Sequence, residues 1–423
     1  LASAVDGAIP LAERLFADLR TNTKAEEGVS REPYGTGEQY AHDLLTDAAQ
    51  ALDLEIAVDF AGNLYMTLPG RNRAAPGWIT GSHLDSVPNG GNYDGAAGVI
   101  AGVTALAALR QSGLVPAHDV TVVGIRAEES SSWYRGDHGG HLGSRAVLGL
   151  LMPGELQAAI NLRTNRTIAA HMRDAGFDPD AAGDRSKQLP KGKYKGYLEL
   201  HIEQGPVLEN TGFPVGIVTG IRGSARARNA RCIGAYTHSG AVPHEYRSDA
   251  VLATAELCYR LDLAWEDVRA SGGDLVYTVG MLSTDPKVHS ITKVPGETNF
   301  TIDLRSQHLA TLEAMVATAQ DLAKEIGVRR RVKFDLGKFN MSDPAVMDAR
   351  FQRRLADGAQ QLNVPHSYLP SGAGHDAQDF AQAGFPAGML FVRNANGSHN
   401  PHEAMAMADF ALGTRLLAWM LLD

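Results

Sequence analysis

The stretch GWITGSHLDSVPNGGNYDGAAGVIAGVTALAALRQSG, from Gly77 to Gly113, decides how the rest of the chain is read. It opens on a short apolar run, Gly77 to Ser82, that reads as a buried strand, and it closes on an apolar helix stopped by Gly113. Between them lies a loop too rich in glycine and asparagine to be core, carrying His83, Asp85 and Asp94. Ordering such a loop costs conformational entropy, so it is expected to hold something. Strand, polar loop and helix in succession are the unit of an α/β sheet, whose ligands bind at the carboxyl ends of the strands.

The pattern repeats outward. LEIAVDFAGNLYMTL (Leu54 to Leu68) reads as two strands turning at Ala61-Gly62-Asn63, and DVTVVGIRAEES holds a strand from Val120 to about Ile125. YLELHIEQGP holds another, ending near His201, and AGMLFVRNANGSHNPHE runs from strand into polar loop. Between these, the texture changes to alternating strands and two helices, RSDAVLATAELCYRLDLAWEDVRAS and ATLEAMVATAQDLAKEIG. Two β-α-β passes make a small open α+β layer. The expected organisation is an α/β domain of residues 1–213 and 330–423, interrupted by an inserted α+β domain of residues 214–329. The basic run VRRRVKF (Val328 to Phe334) is expected at the rim of one strand.

The chain has 423 residues, 44% of them hydrophobic and 21% charged, as in globular proteins of more than one domain. A net charge of −9 with no basic patch argues against a nucleic-acid partner. Cys232 and Cys258 are the only cysteines and form no Cys-x-x-Cys pair, which fits a reducing compartment. The N-terminal stretch lacks the basic start and apolar run of a secretory signal. The apolar C-terminal stretch is interrupted by Asp409, Gly413 and Arg415, so it reads as a helix against a core rather than a membrane span. A cytoplasmic location is the expectation.

The predicted strand ends carry a consistent chemistry. His83 and Asp94 follow the first strand of the opening stretch, Glu128 and Glu129 follow VTVVGIRA, His201 ends YLEL, and His399 follows MLFVRNANGS. With Glu128 kept free, three histidines and two carboxylates suit two divalent ions sharing one bridging carboxylate. A water between such ions loses its proton near neutral pH, and a carboxylate that is not a ligand can take it. Each group alone also fits a plainer role: a surface turn at His83-Leu-Asp85, a solvated Glu-Glu, a strand-end pair at His201 and Glu203, a helix cap at His399 and His402. In the inserted stretch, His238 precedes a helix that Ser248 or Asp249 could cap. Arg305 ends a strand, where a planar fork suits a substrate carboxylate.

Taken together, GSHLDSVPNGGNYDGAAGV, AEES, LHIEQGPVLE, GAYTHSGAVP, VPGETNFTIDLRS, SGAGHDAQDFA and GSHNPHEA resemble the hydantoinase/carbamoylase branch of the dinuclear metallo-aminopeptidase superfamily. That branch includes N-carbamoyl-L-amino acid hydrolases, β-ureidopropionases, and allantoate and ureidoglycolate amidohydrolases. The resemblance runs through nearly the whole chain in order. It implies a zinc-aminopeptidase-like mixed sheet flanked by helices, with a ferredoxin-like lid that also forms a homodimer. It implies that His83, Asp94 and His201 hold one ion and Asp94, Glu129 and His399 the other. The ions would be manganese, zinc, cobalt or nickel, with one or both seats filled. Asp85 would orient His83, Glu128 would be the general base, and His238 from the partner subunit would steady the oxyanion. Gln204, Arg305 and His375 would contact or border a small-molecule substrate.

Two departures bear on substrate. Family members that bind carbamoyl amino acids commonly carry asparagine where this chain has Thr292, whose hydroxyl lacks the amide fork. EESSSWYRGDHGGHLGSR is a few residues longer than usual after the glutamate pair, and its Trp133 and Tyr134 either pack in the core or line an aromatic pocket. The expected activity is hydrolysis of a linear C–N bond in a carboxylated substrate, an N-carbamoyl-L-amino acid or related ureide foremost. The alternatives are hydrolytic deamination of an aminoaromatic acid, as in nitroanthranilate aminohydrolase, or dipeptidase or aminoacylase action. His201, where the wider superfamily often has a carboxylate, favours the non-peptide branch. A catalytically dead ligand-binding relative would lack ligands or base, and none is missing here.

Overall fold

A computed structural model describes residues 1–136 and 140–422. The chain forms two compact units, one of Leu1–Thr219 with Val346–Asp423 and one of Gly220–Ala345.

In the first unit, the strands run in the order Glu55–Val58, Leu64–Leu68, Val120–Ile125, Gly77–His83, Tyr194–Ile202, Ala387–Val392 and Val215–Ile221. The four in the middle, from Val120–Ile125 to Ala387–Val392, are mutually parallel, and the pairs outside them are antiparallel. Strand composition follows from this. Val120–Ile125 and Ala387–Val392 are buried at every position, as parallel strands covered on both faces must be. Leu64–Leu68, nearer the edge, alternates buried and half-buried residues.

Helix Ala96–Gln111 is buried from Ala96 to Leu109, and it contacts both the sheet and the helices Ala2–Asn22 and Met407–Leu421. It is rich in alanine and glycine because it lies so close to the strands. A Cβ on Gly98 would come within 2.2 Å of the Leu200 carbonyl oxygen. Each fully buried Val, Leu or Ile in this layer contributes roughly 1.5–3 kcal/mol. Among the described residues no helix is long and apolar enough to cross a membrane.

The second unit orders its strands Val276–Thr278, Glu297–Ser306, Gly223–Ile233, Lys333–Asp335, all antiparallel. Helices Ala250–Ala270 and Leu309–Arg330 pack on this sheet around Leu257, Leu261, Phe300, Ile302, Leu304 and Leu312. Its limits differ from the expected 214 and 329. At the near end, Val215–Ile221 pairs with Ala387–Val392 in the larger sheet. At the far end, Lys333–Asp335 and Asn340–Ser342 both pair with Gly223–Ile233. The basic run meets a strand rim only at its end, where Lys333 and Phe334 open the strand Lys333–Asp335. Arg329 and Arg330 finish a helix and meet Glu256, and Arg331 stops that helix in the left-handed region at φ 56°.

One buried ion pair braces the turn after Val120–Ile125. Arg126 Nη1 donates to Glu38 Oε2 over 2.7 Å, with both side chains almost fully buried. Glu38 also accepts from the backbone of Tyr34 at 2.6 Å and of Ala127 at 2.9 Å. Removing one partner of a buried pair leaves the other uncompensated. Glu38→Ala is therefore expected to destabilise the protein by about 3–5 kcal/mol, while Glu38→Gln, which keeps an acceptor, loses less. Urea denaturation of both variants checks this.

Candidate metal centre

Parallel strands end on the same side, so the four middle strands bring their carboxyl-terminal residues to one edge. His83 ends Gly77–His83, Glu128 and Glu129 follow Val120–Ile125, His201 lies one residue from the end of Tyr194–Ile202, and His399 lies in the loop after Ala387–Val392. Asp94 arrives from the loop of the opening stretch. Among the described residues four groups of side chains could share a cation: His83–Asp94–His201 and Asp94–Glu129–His399, which meet at Asp94, and beside them His83–Glu128–Glu129 and Glu199–His201–His375.

Asp94 sits at the join. Its Oδ1 lies 3.4 Å from His83 Nε2 and 3.2 Å from His201 Nε2, and its Oδ2 lies 3.5 Å from His399 Nε2. Glu129 Oε1 is 2.8 Å from His399 Nε2. The two inner rings have their tautomers set from behind: His83 Nδ1 faces the Asp85 carbonyl at 3.1 Å, and His201 Nδ1 faces that of Ile202 at 2.8 Å. With Nδ1 facing a carbonyl, Nε2 is the atom each ring presents to the site: that of His83 towards Asp94, and that of His201 towards both Asp94 and the Gly95 N–H, 3.1 Å away. Asp94 Oδ1 is buried and accepts no hydrogen bond. A buried carboxylate oxygen left without a donor, with two imidazole nitrogens within 3.4 Å of it, is unfavourable unless a cation lies among them, so these residues fit divalent metal.

The supports are equally specific. The Asp85 carboxylate lies 3.3 Å from His83 Nδ1 and accepts from the backbone N–H groups of Glu128 and Glu129 at 3.1 and 2.9 Å. It thus locks the ring and the glutamate turn together. Glu403 accepts from the N–H groups of Tyr93 and Asp94, and Ser398 Oγ lies 2.5 Å from both Glu403 Oε2 and Asp94 Oδ2. Gly95 has φ 66°, and a Cβ there would come within 2.4 Å of the His83 ring. Only glycine lets the loop pass this close.

The neighbouring glutamates are driven apart electrostatically. Burial opposes charge on Glu128, but the imidazoles of His141, His83 and His375 overcome it and hold its carboxyl at about 2. Burial and the adjacent Glu128 and Asp94 push Glu129 up to about 7 despite its bond to His399. A bound dication would draw Glu129 back down.

Of the remaining expected residues, Gln204 joins the cluster, its Nε2 lying 2.8 Å from Asp94 Oδ2. His375 is buried behind it, its ring 4.5 Å from that of His201 and its Nε2 2.9 Å from Ser371 Oγ. It borders the site beside His201, and with His201 and Glu199 it forms a further group able to share a cation. Neither His399 nor His402 caps the final helix, which starts at Met407 after Ala406. Trp133 and Tyr134 are buried in a cluster with Ile168, Ala169 and Met172, and the Trp133 indole donates to the Ser86 carbonyl. Packing is their role, and the aromatic-pocket reading loses its residues. His238, Thr292 and Arg305 belong to the second unit. There His238 Nδ1 accepts from the N–H groups of Gly240 and Ala241, leaving Nε2 as the donor. Arg305 pairs with Asp303, and Thr292 Oγ1 lies 3.1 Å from Ser290 Oγ. Asp249, the alternative noted for this segment, does cap helix Ala250–Ala270.

The profile of peptidase family M20/M25/M40 matches residues 79–423. The chain is 35% identical over 410 residues to an N-carbamoyl-L-amino acid amidohydrolase of Geobacillus stearothermophilus, covering 96% of this chain and 95% of that protein. It is 32% identical over 378 residues to an allantoate amidohydrolase of Escherichia coli, covering 88% and 87%. Among solved structures, a hydantoinase/carbamoylase family amidase from Burkholderia multivorans superposes with a TM-score of 0.87 at 28% identity, over 97% of each chain. The chain therefore belongs to the peptidase M20/M25/M40 family, in its hydantoinase/carbamoylase branch, and is a hydrolase of carbon–nitrogen bonds other than peptide bonds.

Proposed function

We propose that this enzyme hydrolyses the linear C–N bond of a ureide, an N-carbamoyl-L-amino acid in first place. The observation that carries the reading is the pair of donor groups sharing Asp94, with an ionised carboxylate, Glu128, beside them and in neither of those two groups, its Oε2 3.8 Å from His83 Nε2. Whole-length similarity to an N-carbamoyl-L-amino acid amidohydrolase supports the substrate class.

His83, Asp94 and His201 would hold one divalent ion and Asp94, Glu129 and His399 the second. Bound there, such ions supply Lewis-acid polarisation and bring the acidity of water towards neutrality. Glu128 takes the proton of the attacking water on its carboxylate and returns it to the leaving nitrogen. Gln204 offers its side-chain amide to the substrate. The second unit supplies the rest: Arg305 for the substrate carboxylate, the Thr292 hydroxyl as a further polar contact, and His238 Nε2–H of a partner subunit for the developing oxyanion. The assignment of the second unit as lid and dimer contact rests on the family resemblance and on this free Nε2 donor.

Three outcomes are expected. Turnover should be fastest with N-carbamoyl-L-amino acids in a panel read by ammonia release for these, allantoate and aminobenzoates and by free amino acid release for dipeptides; faster turnover of either of the last two moves the assignment to that class. Glu128→Gln should keep its metal content by elemental analysis while losing about 100- to 10,000-fold in kcat. The mass in solution should be that of a dimer, and a fully active monomer would remove His238 from the partner's site.

A further inference from the structure

The segment after the glutamate pair delivers a second imidazole to Glu128. His141 stands at the start of helix Leu142–Leu148, just past residues 137–139. Its Nε2 lies 3.1 Å from Glu128 Oε1, and its Nδ1 lies 2.7 Å from Asp379 Oδ2 on helix Asp376–Gln382. Ser144 Oγ is 3.3 Å from the same Asp379 oxygen. The backbone is tied in as well. The N–H of His141 donates to the Glu128 carbonyl at 2.8 Å, and those of Leu142 and Gly143 donate to Ala127 and Arg126.

This arrangement is not incidental packing. His141 holds φ 48°, in the left-handed region that a residue with a Cβ rarely adopts. A Cβ on Gly374 would fall within 2.9 Å of its ring, so the opposite wall has been cleared for it. The hydrogen bond also distinguishes the two Glu128 oxygens. Oε1 is taken by His141, and Oε2 faces the donor groups, 3.8 Å from His83 Nε2. A carboxylate rotates freely unless one oxygen is held, and a general base must present a chosen oxygen within hydrogen-bond reach of its proton.

We propose that His141, held in turn by Asp379, is a positioning residue that ties one Glu128 oxygen and turns the other to the water it deprotonates. This rests on Glu128 being the base. It gives this segment a task in the reaction beyond the packing of Trp133 and Tyr134.

Two readouts test it. In the metal-free protein with 15N-labelled histidines, His141 is expected to show a slowly exchanging ring N–H. That signal should be lost in His141→Leu and shifted by both Glu128→Gln and Asp379→Ala. A ring proton that exchanges freely and ignores both changes overturns the proposal. In turnover of N-carbamoyl-L-alanine by the metal-loaded enzyme, His141→Leu should lower kcat about 10- to 100-fold with KM and metal content unchanged. His141→Gln keeps a donor at similar reach and should recover most of that loss. Equal losses in the two variants, or a Leu variant within about twofold of the parent kcat, also overturn it. If Glu128→Gln itself turns over normally, the base assignment fails; if that variant is inactive while His141→Leu is fully active, the positioning role alone fails.

Discussion

Parallel hydrogen bonding among four neighbouring strands is the constraint on which this protein depends. Val120–Ile125, Gly77–His83, Tyr194–Ile202 and Ala387–Val392 lie side by side and point the same way. Residues more than three hundred positions apart thereby meet at one edge without any long loop having to find its target. The cost is burial on both faces, which helix Ala96–Gln111 supplies on one side. An antiparallel neighbour in the middle of this run would send its final residue to the opposite edge and break the cluster.

Within the cluster, precision comes from carboxylates that are not themselves donors to the shared site. Asp85 couples the His83 ring to the backbone of Glu128 and Glu129, so two strand ends are held to a common geometry. Glu403 does the same for the loop bearing Asp94, by accepting two of its N–H groups and meeting Ser398. Behind the Glu128 turn, the pair of Glu38 and Arg126 fixes the backbone at Ala127, which itself holds φ 59°. Buried charge costs solvation, and here it is offset by dense hydrogen bonding.

Much of this was legible in the chain. Apolar runs ending in histidine or acid gave the parallel strands and the donors at their ends, because a buried strand can afford polar side chains only where it leaves the sheet. Less legible were groups whose partners are remote. Glu403 and Ser398 look like ordinary loop residues until Asp94, some three hundred positions earlier, is placed against them. His141 and Asp379 sit in separate segments with no shared spacing, and only the fold brings them within 2.7 Å. The limits of the second unit were misplaced for a related reason. Lys333–Asp335 and Asn340–Ser342 are short and polar, so only their pairing with Gly223–Ile233 reveals where they belong.

The two donor groups differ in depth. The side chains of His83 and His201 are 2% and 1% exposed, whereas that of His399 is 48% exposed. Solvent can compete for the outer imidazole and hardly at all for the inner pair. An ion in the inner group would therefore be shielded and one in the outer group would meet solvent, so scarcity of ions would empty the outer group first and the surrounding medium would act as a throttle on the whole centre.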